Sequence, residues 1–203
     1  MQAEQAKEAY RLINACFDSL VEAHSLLQRE PQLIVACTGL GETALHYLAV
    51  EDQLPAVQWL VDRGAAVNTV NNVGTTPLSD AASLGYVEMV AYLLSAGARV
   101  DLPGETDPTL HAAVRGANTR VVSMLLEAGG SANAVDKWKE SALHVAAESD
   151  DRLAVLRTLL EAGANADARC SLNDSPLDVA IDRGSAECAA ALRAFGRSTL
   201  SGR

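Results

Sequence analysis

A short pattern returns along this chain at intervals of 32 to 34 residues: TALHYLA (43–49), TPLSDAA (76–82), PTLHAAV (108–114), SALHVAA (141–147) and SPLDVAI (175–181). Leu45, Leu78, Leu110, Leu143 and Leu177 mark it. Gly64, Gly97, Gly129, Gly163 and Gly196 keep step 19 residues later, or 20 in the fourth unit. A period of this size means that the chain is built from one supersecondary unit repeated, each copy too small to bury its own apolar face.

The residues of a unit say how it folds. Thr43, Thr76, Ser141 and Ser175 suit the N-cap of a helix, and Pro77 and Pro176 follow at the first helical position, where a missing N–H costs nothing. A breaker comes after the first helix: Gly85, Gly184, or Asp52, Ala117 and Asp150 at the same place. A second apolar-periodic stretch follows, such as VEMVAYLLSAG (87–97), whose last glycine suits a left-handed helix end. The link to the next unit, AAVNTVNNVGT (65–75) being the clearest, places Asn and Gly at turn positions. Units of this kind stack into a one-dimensional solenoid.

The period, the T-P-L-H-x-A-A run and the G-A-x-V-N link resemble the ankyrin repeat over residues 41–196. The resemblance implies an all-α solenoid of stacked helix-turn-helix units with hairpin-like finger links. The expected division is a capping ankyrin-like unit at 1–40, repeats at 41–73, 74–105, 106–138 and 139–172, a C-terminal capping repeat at 173–196 and a frayed tail at 197–203, all in one continuous domain. Helices are expected near 4–16 and 19–29. In the third repeat Asp107 and Pro108 are read as taking the cap and first-turn places one residue early, which shortens the preceding link and displaces its finger. The fourth repeat carries an extra residue in ESDDR (148–152). Ser79 and Asp178 stand where the family has His, so those repeats are expected to lose one hydrogen bond.

Composition narrows the class. Leucines and alanines (27 and 36) far outnumber the 8 aromatics, which suits small, closely packed helices. Sixteen Lys and Arg against 26 Asp and Glu leave a net charge of −10, the wrong sign for gripping a phosphate backbone. The four cysteines, Cys16, Cys37, Cys170 and Cys188, form no CxxC pair and no dense disulfide framework. The N-terminal residues have no signal-peptide core and no stretch approaches a membrane span, so a cytoplasmic location is expected, with no membrane or nucleic-acid partner.

Chemistry finds little support. His46, His111 and His144 occupy one repeat place, where the resemblance implies that the imidazole ties neighbouring turns together. No metal pair, nucleophile triad or phosphate loop accompanies them, and TGLGET (38–43) lacks a third glycine. No enzymatic activity, cofactor or metal is expected. What remains is the surface. The resemblance implies a concave face made of finger tips and first-helix ends, and the candidate protein-binding residues there are Val70, Asn72, Val73, Leu84, Arg115, Val135, Lys137, Trp138, Arg169 and Leu172. Trp138 is the sharpest, because Trp is enriched at binding hot spots; the rival reading lays its ring on the neighbouring finger. Lys137 and Lys139, two of the three lysines, make a local positive spot. Trp59 and Tyr92 share one place on the second helix and are read as packing between repeats, a contact on the convex face being the alternative. The expected function is a non-catalytic, monomeric scaffold for a protein partner that presents a basic surface. The alternatives are a regulatory or inhibitory subunit of an enzyme, or a self-associating repeat protein.

Overall fold

The computed structural model describes the backbone of residues 2–103, 105 and 107–201, and the side chains within 6–103, 105 and 107–196. Among these residues the chain forms twelve α-helices, two short 3-10 turns and two isolated β-bridges, with no extended sheet. It divides into two compact segments, Met1–Glu105 and Thr106–Arg203. The division falls where the sequence sets its second repeat against its third.

The N-terminal segment opens with α1 (Gln2–Asp18) and α2 (Leu20–Arg29), separated by Ser19, whose Oγ accepts the Val21 amide and caps α2. A 3-10 turn at Pro31–Val35 follows. Two helix pairs come next: α3 (Ala44–Val50) with α4 (Leu54–Val61), then α5 (Pro77–Leu84) with α6 (Val87–Ser95). First helices pack on first helices, α1 on α3 and α3 on α5, burying Leu12, Leu45, Leu48 and Leu78 almost completely. Each such leucine withdrawn from water contributes about 1.5–3 kcal/mol.

The C-terminal segment holds three pairs, α7 (Thr109–Arg115) with α8 (Thr119–Glu127), α9 (Ala142–Ala147) with α10 (Leu153–Glu161), and α11 (Pro176–Asp182) with α12 (Ala186–Ser201). Again first helices stack on one another, α7 on α9 and α9 on α11, while the second helices α8, α10 and α12 stack alongside.

Polar ties join neighbouring repeats within each segment. The backbone N–H of Thr43 donates to His46 Nδ1 at 3.1 Å, which fixes the imidazole proton on Nε2; Nε2 then donates to the Thr75 carbonyl at 3.3 Å. Ser141 and His144 repeat the arrangement toward the Asp174 carbonyl at 3.0 Å. Burial lowers the His46 pKa from its ordinary 6.5, which keeps the ring neutral in this role. A second tie comes from Asn68, whose Oδ1 accepts Arg99 N–H at 2.9 Å while its amide donates to the Gly97 carbonyl. Asn133 does the same with Asn165 and Gly163.

Several local expectations hold. Thr43, Thr76, Ser141 and Ser175 cap their helices, and Pro77 and Pro176 open α5 and α11. Asp52, Gly85, Ala117 and Gly184 all take positive φ between paired helices. Ser79 and Asp178 keep the capping half of the histidine's work, Thr76 N–H to Ser79 Oγ at 2.8 Å and Ser175 N–H to Asp178 Oδ2 at 2.9 Å. Their remaining bonds point elsewhere, Ser79 back to its own Thr76 carbonyl and Asp178 to Arg169.

Other expectations are corrected. In the third repeat Pro108, not Asp107, occupies the N-cap place; proline offers no side-chain acceptor, and Asp107 reaches past it to His111 Nδ1 at 3.2 Å. The displacement expected of the preceding finger involves Gly104 and Thr106, which lie outside the described residues. Asp150 does not break the fourth repeat with a left-handed residue. The extra residue is absorbed in a 3-10 turn, Asp150–Arg152. Gly196 does not end the last helix either: α12 runs through it to Ser201, so most of the expected tail is helical backbone, while Gly202 and Arg203 lie outside the described residues.

Candidate protein-interaction surface

Each full-length link folds into a hairpin finger with the same hydrogen bonds. Asp136 N–H donates to the Glu140 carbonyl and Lys139 N–H to the Asp136 carbonyl, both at 3.0 Å; Asn71, Thr75 and Gly74 repeat this, as do Thr38, Glu42 and Gly41, and Cys170, Asp174 and Asn173. The residue that turns the tip has positive φ in every case: Gly41 at 77°, Gly74 at 83°, Lys139 at 60° and Asn173 at 66°. The finger base holds the turn from inside. Asp136 Oδ1 accepts Trp138 N–H at 2.8 Å and Glu140 N–H at 2.9 Å, and Asn71 Oδ1 accepts Val73 and Thr75 N–H.

This geometry sets one residue of each finger, five before the repeat leucine, in an exposed place at the tip: Leu40, Val73, Trp138 and Leu172. All four are apolar, and they are 55%, 52%, 57% and 81% exposed. Backbone bonds hold neighbouring fingers side by side. Asn72 N–H donates to the Leu40 carbonyl at 2.8 Å, and Ser171 N–H and Oγ donate to the Trp138 carbonyl at 2.8 and 2.6 Å. The tips therefore form one apolar pair in each segment, Leu40 with Val73 and Trp138 with Leu172. In the shortened link the same place holds Glu105, whose carboxylate accepts from Thr76 Oγ1 and Leu102 N–H.

The candidate residues divide between the segments. Val70, Asn72 and Val73 lie on one finger of the N-terminal segment, Asn72 spending its amide groups on Leu40 and Gly39, and Leu84 is an exposed residue at the end of α5. Val135, Lys137 and Trp138 lie on one finger of the C-terminal segment and Leu172 on the next, with Val135 bridged to Ser141. The Lys137 ammonium sits 4.1 Å from the centre of the Trp138 ring, a cation–π contact. Arg115 and Arg169 are less available than the sequence suggests, because Arg115 pairs with Asp107 and Arg169 with Asp178 at 2.8 Å. Leu40 was missed. Its signal was its register, five residues before Leu45, hidden by the weak match of the N-terminal unit.

Two further features colour the first helices of the N-terminal segment. Tyr10 and Tyr47 share a hydroxyl contact of 3.1 Å with rings edge to face, and that bond above all pushes the Tyr47 pKa to about 12. Burial pushes the Asp80 carboxyl up to about 6. The thiols of Cys16 and Cys188 are pushed up to about 11 by burial, which disfavours thiolate chemistry. Among the described residues no three His, Cys, Asp or Glu side chains gather as a metal site. None of the described helices is long and apolar enough to cross a membrane.

Stacked helix pairs tied by buried histidines and joined by braced fingers define a helical repeat protein whose distinctive surface lies in its links. Ankyrin-repeat sequence, described as "Ankyrin repeats (3 copies)", is matched at residues 12–103 and 110–198. The chain belongs to the ankyrin repeat family, whose repeats are generally protein–protein interaction modules and generally non-enzymatic. It is similar to a "Transient receptor potential cation channel subfamily A member 1 homolog" of Caenorhabditis elegans, 38% identical over 63% of this chain and 10% of the relative. It is 32% identical to the "Nuclear factor NF-kappa-B p105 subunit" of Gallus gallus, over 77% of this chain and 16% of that protein. It is 35% identical to the "B-cell lymphoma 3 protein homolog" of Mus musculus, over 70% of this chain and 33% of that one. The chain thus spans a third or less of the length of these relatives.

Proposed function

We propose that this chain is a non-catalytic protein-binding module that engages its partner through finger tips and first-helix ends. The observation that carries the reading is the apolar tip place. A finger that only linked helices would be solvated and polar there, yet Leu40, Val73, Trp138 and Leu172 are all apolar and exposed, the first three on turns braced from within by Thr38, Asn71 and Asp136. Bracing lowers the ordering cost of binding, so a few anchors supply most of the affinity. Trp138 and Leu172 are the anchors of the C-terminal segment, with Val135 and Lys137 beside them; Leu40, Val73, Val70 and Leu84 serve the N-terminal segment. Arg115 and Arg169, held in ion pairs, position rather than grip. The net charge of −10 favours a partner with a basic surface around an apolar patch, bound less tightly as salt rises.

The test is affinity capture from an extract of the source cells with wild type and with Trp138→Ala/Leu172→Ala, both quantified by mass spectrometry. A protein recovered on wild type and reduced about tenfold or more on the double variant, with both proteins melting alike, supports the reading. Equal recovery on both contradicts it.

A further inference from the structure

Away from the fingers, α2, the 3-10 turn Pro31–Val35 and the end of α4 enclose an open cleft of about 330 Å³, lined by His24, Leu27, Gln28, Pro31, Ile34 and Arg63. We propose that it binds a small amphipathic acid, a carboxylate carried on a compact apolar body. Three observations converge on this class. Leu27, Pro31 and Ile34 give the cleft an apolar lining, and its volume lies at the lower end of the range for small-molecule sites.

Arg63 supplies the charge. Its guanidinium stacks 4.0 Å above the Trp59 ring and donates through Nη1 to the Trp59 carbonyl at 3.0 Å, so the fork is held in one place. Among the described residues no carboxylate pairs with Arg63, so its charge is not spent within the chain. The adjacent Asp62 acts toward Tyr92, whose hydroxyl pKa is raised by burial first and by the Asp62 charge second. A guanidinium fixed by an indole, with donors unspent, suits a planar carboxylate.

His24 adds a second donor. It stands edge-on to Trp59 with centroids 6.5 Å apart, and its Nε2 accepts the Gln28 amide at 3.0 Å, which leaves Nδ1–H to donate. Both donor-bearing walls thus rest on Trp59. That residue, read from sequence chiefly as packing between repeats, becomes the support of the site and its natural reporter.

The test uses the full chain. In a Trp138→Phe variant Trp59 is the remaining indole. Anilinonaphthalene sulfonate, an aromatic sulfonate, is titrated while energy transfer from Trp59 is read, then displaced by octanoate or by octanol. The proposal expects transfer, displacement by octanoate but not octanol, and binding weakened about tenfold or more by Arg63→Gln. Ile34→Glu, which sets a carboxylate among the lining residues, should weaken it likewise. Absence of transfer, equal displacement by octanol, or dye binding unchanged in both variants would overturn it. The displacement arm needs neither variant to fold.

Discussion

The Asp150 carboxylate accepts the backbone N–H of Cys188 at 3.0 Å and so caps the first turn of α12 from a different repeat, 38 residues away. The extra residue of the fourth repeat makes this possible. It turns the inter-helix corner into a 3-10 turn that aims Asp150 at the amides of Ala186, Glu187 and Cys188. An insertion that breaks the repeat's register is therefore a tie between the last two helix pairs.

That tie predicts a pH-dependent cap. The Cys188 amide above all holds the Asp150 carboxyl below its ordinary 3.8. A folded-state pKa below the unfolded one contributes stability that is present above pH 3.8 and is lost as the pH falls through the lower, folded value. Asp150→Ala should lower the melting temperature at pH 7, and Asp150→Asn, which keeps an acceptor oxygen, should lower it less. The gap between wild type and either variant should close on strong acidification, as thermal melts at graded pH will show.

His46 and Asp80 predict opposite slopes in the same segment. The His46 pKa is lowered, so its contribution is complete above pH 6.5 and declines as the pH falls below that value. His46→Ser, the residue that the second repeat carries at this place, keeps a cap but loses the bond to Thr75. It should cost about 2 kcal/mol at pH 7, one hydrogen bond plus the volume of the ring, and flatten the acid limb. The Asp80 pKa is raised to about 6, so its burial is tolerated at low pH and opposes folding as the pH rises through 6. Asp80→Asn should stabilise the protein by about 1–2 kcal/mol at pH 7 and have no effect below pH 4. Denaturant titrations at both pH values check each sign.

The finger turns make a prediction about backbone alone. Lys139 holds φ 60° with a side chain that gains nothing from it, so Lys139→Gly should stabilise the protein by up to about 1 kcal/mol. Gly41→Ala should do the reverse by about 1–3 kcal/mol. At φ 77° its new Cβ would lie 2.8 Å from Asn72 Oδ1 and 3.1 Å from Asn72 N, on the finger that bonds to Leu40. Urea midpoints of the two variants should move in opposite directions.

The stacking was legible because it is written locally: caps, first-turn prolines and the phase of leucine and glycine need only neighbouring residues to act. The histidine ties were legible through their shared register. What the sequence hid depends on contacts between distant residues. Asp150 looks like part of a solvated acidic loop until α12 is seen to start beside it. Gly196 resembles four other helix-ending glycines, yet the helix continues through it to Ser201. Arg115 and Arg169 read as open cations because Asp107 reads as a helix cap and Asp178 as a replacement for the family's His, and neither place points to an arginine partner. The tip residues were half legible: Val73, Trp138 and Leu172 stood out, while Leu40 stands in register with them in a unit whose match is too weak to align by eye.

The measurement that bears most directly on the claim that the fingers exist for a partner is a paired one, the dissociation constant of the captured protein and the melting temperature, for wild type and Trp138→Ala. Binding should weaken by about 2 kcal/mol, close to thirtyfold, while stability changes by less than about 0.5 kcal/mol. A large fall in melting temperature with unchanged affinity would mean that the indole belongs to the scaffold, and would contradict the account.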